Sequence, residues 1–238
     1  VPLSWSDAFD GKERLLFEPE PCFGDGSHPT TRLASQATEA YCVAHSGCSV
    51  LDVGTGNGVL SLVAAMSGAG STLGLDVDAE AVAAAEENAR LNALEARCRF
   101  STADVATLEA EFDLVVANLE PQVQLELIAP LARRVRSGGT LLLTGFLFEQ
   151  AEWIRRAATS VGLHEVEALR SKVGIATEHD ADMARLAQEL DPLPCGAELD
   201  GAELDEATAD SVEYGSDGGG YVLLAWTRPA AASGRGSS

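Results

Sequence analysis

The chain has 238 residues, a length that suits one large domain or one domain with a sizeable appendage. Its 16 Lys and Arg set against 37 Asp and Glu leave a net charge of −21, a field that repels nucleic acid and anionic membranes and suits a basic partner. A hydrophobic share of 46% is ordinary for a globular core and excludes disorder throughout.

Five cysteines, Cys22, Cys42, Cys48, Cys98 and Cys195, are odd in number and form no CxxC pair. That argues against a secreted disulfide framework and for a reducing cytoplasm. No apolar run reaches the roughly 18 residues of a membrane span, and VPLSWSDAFDG lacks the basic start and apolar stretch of a secretion signal. The first residue is Val rather than Met, so the sequence reads as processed or as cut from something longer.

Residues 1–32 read as an N-terminal segment and closing loop, with Trp5 and Phe9 packing on the core. In GSHPTT, His28 reads as a hydrogen-bonding brace in preference to a general base, since Pro29 and the nearby Gly24 and Gly26 mark a loop. Cys42, His45 and Cys48 make a CxxHxxC pattern at a helix end; with no fourth ligand nearby, zinc is the weaker reading and no metal site is assigned.

From Ser49 onward, β-branched or Leu-rich runs alternate with helical runs: SVLDVG, VLSLVAAMSG, STLGLDV, AEAVAAAEENARLN. This is the pattern of βαβ units on a parallel sheet. Asp78 is placed to cap the second of these helices, and Val82, Ala85 and Ala89 to face the sheet. RCRFST and DLVVANL read as strands three and four. In the next helix Val123, Leu127, Leu131 and Val135 mark one face, and Pro130 a kink or the start of the regular part. Arg133, Arg134 and Arg136 suit its C-terminal end, which Gly138-Gly139 closes before GTLLLTGF, the fifth strand. FEQAEWIRRAATSVG follows as a helix, HEVEALRS as a sixth strand and GYVLLAWTR as a seventh, so the fold class is α/β. The core then comprises 33–171 with 219–229, and residues 230–238 are a disordered tail.

Residues 172–218 form an acidic insertion between strands six and seven. Residues 178–217 hold 13 acids and one Arg, which is −12 of the total against −9 for everything else. A small tandem repeat, AELDG then AELDE, and a run of three glycines fit one helix over 180–190 followed by a mobile loop. Two roles stand side by side: electrostatic steering of a basic substrate, or a solvated loop that aids solubility.

The segment that carries chemistry is VLDVGTGNG. Gly54, Gly56 and Gly58 follow a strand and precede a helix, so the backbone can turn tightly and meet a ligand at the helix N-terminus. With Asp52 two residues before Gly54 and Val at position 59, the spacing is GxGxG rather than the dinucleotide pattern GxGxxG. Asp76 ends GLDVD, 22 residues past Gly54, where a carboxylate can bridge the two hydroxyls of an adenosine ribose. The bland alternative, glycines that shape a turn and an Asp that caps a helix, leaves the order strand, turn, helix, strand and acid unexplained. Asp104, after strand three, is placed either to accept from an adenine amino group or to cap a turn.

Together VLDVGTGNG, GLDVD, DLVVANL and FGDGSHPTTRL resemble the class I S-adenosylmethionine-dependent methyltransferases, and among them the PrmA family that methylates amino groups of the eleventh protein of the large ribosomal subunit. The resemblance covers about residues 17–171. It implies a Rossmann-like seven-stranded, mostly parallel sheet with helices on both faces and a C-terminal antiparallel hairpin. It also implies S-adenosylmethionine as cofactor, S-adenosylhomocysteine as product, and Thr31, Gly54, Asp76 and Asn118 as cofactor-binding residues; with Asp52, Gly56 and Gly58 of the same glycine segment and Asp104, these make up the expected cofactor site. Three features depart from the family pattern. Asp25 stands where FGTG has Thr, Leu-Glu-Pro-Gln follows Asn118 in place of small apolar residues, and the acidic insertion replaces a short hairpin. The family's N-terminal recognition domain lies outside this sequence, either cut away or never present.

The resulting expectation is a protein N-methyltransferase acting on lysine or an N-terminal amine of a basic protein, by resemblance a ribosomal one. Asn118 would orient the amine and Glu120 is a candidate to attract it. A small-molecule or peptide methyltransferase on the same core is the alternative, and a noncatalytic adaptor presenting the acidic loop is a further one.

Overall fold

The structure is a computed structural model in which residues 15–17, 28–170, 191–192 and 220–229 are described. The proposed packing of Trp5 and Phe9, the FGDG segment, the helix over 180–190 and the tail fall outside these residues.

Helix α1 (Pro29–Ala44) leads into the strand β1 (Ser49–Val53). There follow α2 (Val59–Met66), β2 (Ser71–Leu75), α3 (Ala79–Leu91), β3 (Cys98–Ser101), β4 (Phe112–Asn118), α4 (Pro121–Arg134), β5 (Val135–Leu147), α5 (Ala151–Ser160), β6 (His164–Arg170), β7 (Asp191–Pro192) and β8 (Tyr221–Thr227). The sheet order is β3-β2-β1-β4-β5-β8-β6-β7. The five strands β1 to β5 run parallel, and β8 pairs antiparallel with both β5 and β6. This is the Rossmann-like sheet with a C-terminal antiparallel hairpin. Its seven main strands are joined by the two-residue β7, which pairs Leu169 with Pro192 and Arg170 with Asp191.

Period-two alternation along the central strands divides the apolar core into two layers. Leu114 and Val116 of β4, Leu142 of β5 and Leu223 of β8 face α1, α2 and α3, where Leu33, Leu62 and Ala89 are buried. Val115 and Ala117, with Leu141, Leu143 and Trp226, face α4 and α5 through Ile128, Leu131 and Ile154. Trp226, Leu141 and Leu143 have no exposed surface at all.

Three local expectations are corrected. In α3 the buried positions are Ala81, Ala85, Asn88 and Ala89, with Val82 only half-buried. In α4 they are Gln124, Ile128, Leu131, Ala132 and Arg134, whereas Val123 is 39% exposed. The helix also ends at Arg134 and passes directly into β5, so Gly138-Gly139 does not terminate it. Gly138, with φ of +76°, instead lies inside β5 where the pairing with β4 shifts register, and its N–H donates to Arg228 O at 2.8 Å. Pro130 sits inside α4 and does not interrupt it.

The strand order reverses between β1 and β4. In an open α/β sheet the crevice outside the carboxyl ends of two such strands is where a ligand fits.

Candidate functional site

A cleft of about 780 Å³ opens at that crevice. One wall is the β1–α2 loop. Gly54, Gly56 and Gly58 all take positive φ, +75°, +53° and +87°. At Gly54 the side chain of Leu119 packs where a Cβ would stand. The N–H groups of Gly54 and Thr55 both donate to Leu75 O, at 2.8 and 2.9 Å, tying the loop to the end of β2.

Asp76 stands just past β2 and completes this wall. Gly56 N donates to its Oδ2 at 2.9 Å and Asp78 N to its Oδ1 at 3.1 Å. Each carboxylate oxygen thus receives one backbone N–H and keeps lone pairs for a ligand. Asp78 caps α3 by accepting from Glu80 N at 2.8 Å. Asp104 caps the short turn Val105–Thr107 by accepting from Ala106 N at 2.8 Å, and it lines the cleft as well, so the two roles considered for it are not exclusive.

Asp52 and Gly58, both assigned to cofactor binding from sequence, do not line the cleft. Asp52 is fully buried, and its Oδ2 accepts from Thr55 Oγ1 at 2.6 Å, Ser61 Oγ at 2.9 Å and Ser61 N at 3.2 Å. Its carboxylate therefore fastens the glycine loop to the first turn of α2 from beneath. Burial pushes its pKa up to about 6, against the lowering effect of the hydrogen bonds from Thr55 and Ser61. Gly58 is the N-cap of α2 and packs against Ala85 and Phe100. Both residues turn away from the cleft, Asp52 toward Thr55 and Ser61 and Gly58 toward α3 and β3, while Val53 to Gly56 between them line it.

The opposite wall comes from α1 and β4. Asn118 ends β4 and its Nδ2 donates to Thr31 Oγ1 at 3.3 Å, joining two residues 87 positions apart. Thr31 lies in the first turn of α1 rather than in a loop. His28 caps that helix: its Nδ1 accepts from Thr30 N at 3.4 Å and meets Thr30 Oγ1 at 2.7 Å, while its ring stands edge-on to Tyr221 at 4.9 Å. The imidazole braces the helix start. Glu120 is exposed beside the cleft as the N-cap residue of α4, without a side-chain capping bond, and it is not among the lining residues.

Sequence reasoning missed the apolar lining. Val77 is 96% exposed and Val123 39%, and both line the cleft with Leu119 and Leu127. Large apolar side chains turned toward solvent beside glycine backbone and carboxylates are the features of a ligand surface. The signal in the sequence was Val77 itself, an apolar residue flanked by Asp76 and Asp78. Missed too was Gln124, fully buried behind Leu119.

Away from the cleft, Cys42 and Cys48 are buried with their sulfurs 3.7 Å apart, and burial holds the Cys42 thiol well above its ordinary pKa. His45 is exposed, stacked on Tyr41 at 4.2 Å. Among the described residues no three His, Cys, Asp or Glu side chains gather as metal ligands, and no helix is long and apolar enough to cross a membrane.

The cleft fits an adenosine-containing cofactor by three observations: the backbone of Gly54 to Gly56 forming one wall, the free lone pairs of Asp76, and the exposed Val77. Comparison with known proteins agrees. Over 158 residues the chain is 44% identical to the ribosomal protein L11 methyltransferase of Cupriavidus metallidurans, a match that covers 66% of this chain and 50% of that protein. With the ribosomal protein L11 methyltransferase of an Exiguobacterium species the identity is 40% over 173 residues, covering 71% and 54%. The chain spans about half the length of these curated relatives. Among solved structures, the ribosomal protein L11 methylase of Lactobacillus delbrueckii subsp. bulgaricus gives a TM-score of 0.63 at 24% identity, covering 93% of this chain and 88% of that one. The N-methyltransferase NodS of Bradyrhizobium japonicum gives 0.53 at 14% identity, covering 86% and 99%. These likenesses show the fold. Residues 1–174 match the family model of ribosomal protein L11 methyltransferase, and the chain belongs to that family, PrmA.

Proposed function

We propose that this chain is an S-adenosylmethionine-dependent protein N-methyltransferase whose acceptor is an amine, on lysine or at an N-terminus, of a basic protein such as ribosomal protein L11. The observation that carries the reading is the meeting of Gly54, Asp76, Thr31 and Asn118 on one cleft at the strand-order reversal. Family membership supports it, as do relatives named for methylation of that ribosomal protein. A reducing cytoplasm is the compartment we assign, in keeping with free thiols at Cys42, Cys48 and Cys98.

S-adenosylmethionine, when bound, supplies an electrophilic methyl on a sulfonium centre and leaves as S-adenosylhomocysteine. Asp76 offers two carboxylate oxygens to a pair of ribose hydroxyls, Val77 an apolar surface and Asp104 an acceptor for an exocyclic amine. Gly54 and Gly56 let the loop backbone approach the ligand closely. Asn118, with Nδ2 engaged by Thr31, offers Oδ1 to an incoming amine without adding charge. In-line transfer depends chiefly on holding the nucleophile in place, and that is what a side chain at the end of a rigid central strand provides. A lysine ammonium must first lose its proton, which at pH 7 costs about 4.6 kcal/mol from a pKa near 10.4. The apolar wall of Leu119, Val123 and Leu127 lowers that cost by desolvating the cation.

Calorimetry with S-adenosylmethionine and S-adenosylhomocysteine tests the cofactor, and radiolabelled methyl transfer to purified ribosomal protein L11, other basic proteins and a metabolite extract tests the acceptor. Binding of both ligands with label in the ribosomal protein is expected. Label confined to small molecules would overturn the protein acceptor, and absence of binding at millimolar ligand would overturn the enzyme.

A further inference from the structure

Gln124 is fully buried one turn into α4, and its side chain does not line the cleft. Its Nε2 donates to two carbonyl oxygens, Leu119 O at 2.5 Å and Thr144 O at 2.6 Å. Both partners can only accept, so this amide orientation is required. The Oε1 atom is buried without a partner. A buried amide that spends both donors on main-chain carbonyls and leaves its own oxygen unsatisfied costs stability in isolation, so its value lies in what it joins.

It joins the turn that carries Asn118 to the end of β5. Leu119 N also donates to Thr144 O, at 3.1 Å, and Gln124 N to Glu120 O at 3.1 Å. The same turn is wedged from two further sides. A Cβ at Gly145, where φ is +107°, would run into the Leu119 backbone, and one at Gly54 would run into the Leu119 side chain. Leu119 thus fills a slot between two glycines, and Gln124 closes the slot from the core.

We propose that Gln124 is a positioning residue for the acceptor side of the cleft: its carboxamide clamps the Asn118-Leu119-Glu120 turn to β5 and so fixes where Asn118 presents its oxygen. This rests on the proposed methyltransferase function. The clamp acts on the acceptor wall, whereas Asp76 and the glycine loop hold the other wall through Leu75 and α2. Its loss therefore lowers turnover more than cofactor affinity, which it touches only through Asn118 and the contact of Leu119 with Gly54.

The test compares Gln124→Met, which keeps the volume and removes both donors, with Ile128→Ala, a buried change one turn further along the same helix. Amide exchange at Leu119 in the ligand-free chain is expected to rise at least tenfold in Gln124→Met and much less in Ile128→Ala once both are compared at equal global stability. With S-adenosylmethionine and a methyl acceptor, kcat is expected to fall about 30-fold in Gln124→Met, and the cofactor Kd to rise by a smaller factor, under tenfold. Gln124→Glu supplies a second reading should Gln124→Met fold poorly. Protonation gives a carboxyl at 124 one donor back, so activity relative to the parent chain at each pH should climb as pH falls from 8 to 6. Equal exchange in the two Gln124→Met and Ile128→Ala chains, an unchanged kcat, or a flat relative pH profile for Gln124→Glu would each overturn the clamp. If the parent chain binds no S-adenosylmethionine, the proposed function fails by itself, and the exchange contrast still decides whether Gln124 holds the turn.

Discussion

The two edges of the sheet handle acidic side chains in opposite ways. Where the parallel strands begin, acids are neutralised by the protein: Asp113 accepts from Ser49 N and Oγ, each at 2.8 Å, and pairs with Arg136, and Glu111 pairs with Arg228 at 2.7 Å. Where the strands end, Asp76, Asp78 and Asp104 receive backbone N–H groups, and none of them joins an ion pair among the described residues. The first edge seals a fold. The second keeps carboxylate lone pairs turned outward, open to a ligand.

The contrast extends to titration. At the sealed edge burial favours the neutral form of Asp113, but hydrogen bonds from Ser49 and the charge of Arg136 outweigh it and lower the pKa. At the open edge burial dominates Asp52 and raises it to about 6. Asp113 accordingly contributes stability that is present above the usual carboxylate pKa and lost as pH falls through its lowered value. Asp52 acts with the reverse sign: the folded state increasingly favours the protonated form relative to the unfolded chain, so stability falls as pH rises from about 4 to about 6.

Four measurements break or sharpen this comparison. The largest effect is expected from Asp76→Ala, which removes two charge-assisted hydrogen bonds to the cofactor, about 4 kcal/mol or near a thousandfold in Kd by calorimetry. An unchanged Kd would erase the distinction between the edges. Next is Asp52→Asn, which keeps an oxygen for Thr55 and Ser61 and removes the titration. Denaturant titrations at pH 4 and pH 6 should show the parent chain losing roughly 2 kcal/mol relative to this variant. Equal slopes would show that the carboxyl does not carry its burial penalty. Asp113→Asn is expected to cost about 1 kcal/mol of unfolding free energy, a value already discounted for the exposure of Arg136, with cofactor Kd unchanged. A Kd that moved with it would mean that the sealed edge is coupled to the cleft. Smallest is Val77→Ser, at about 1 kcal/mol of cofactor affinity and no change in melting temperature, because the side chain is solvated until a ligand covers it. A fall in melting temperature would mean that Val77 packs within the protein instead.

Local spacing determined a large part of this molecule. Alternating strands and helices from Ser49, three glycines at alternate positions, the carboxylate at 76 and the amide at 118 were all legible, because each is set by its neighbours within a few residues or by strand-to-strand spacing. Tertiary structure decided what depends on contact between distant segments. Whether Val123 or Gln124 faces the core is a rotation of about 100° on a helix; Gln124 shares the face of Ile128 and Leu131, and the carbonyls of Leu119 and Thr144 give its amide partners there. Asp52 looked like a ligand residue beside the glycines, yet its strand position points it inward to Ser61. Gly138 looked like a helix stop, but pairing with Phe112 of β4 drew Val135 into the sheet. Thr31 and Asn118 meet only because α1 packs against β4 and β5. Sequence alone thus placed the glycine loop, Asp76 and Asn118 at the ends of their strands; packing decided which side chains line the cleft and which hold its walls, because a side chain's direction depends on neighbours that the linear order does not place beside it.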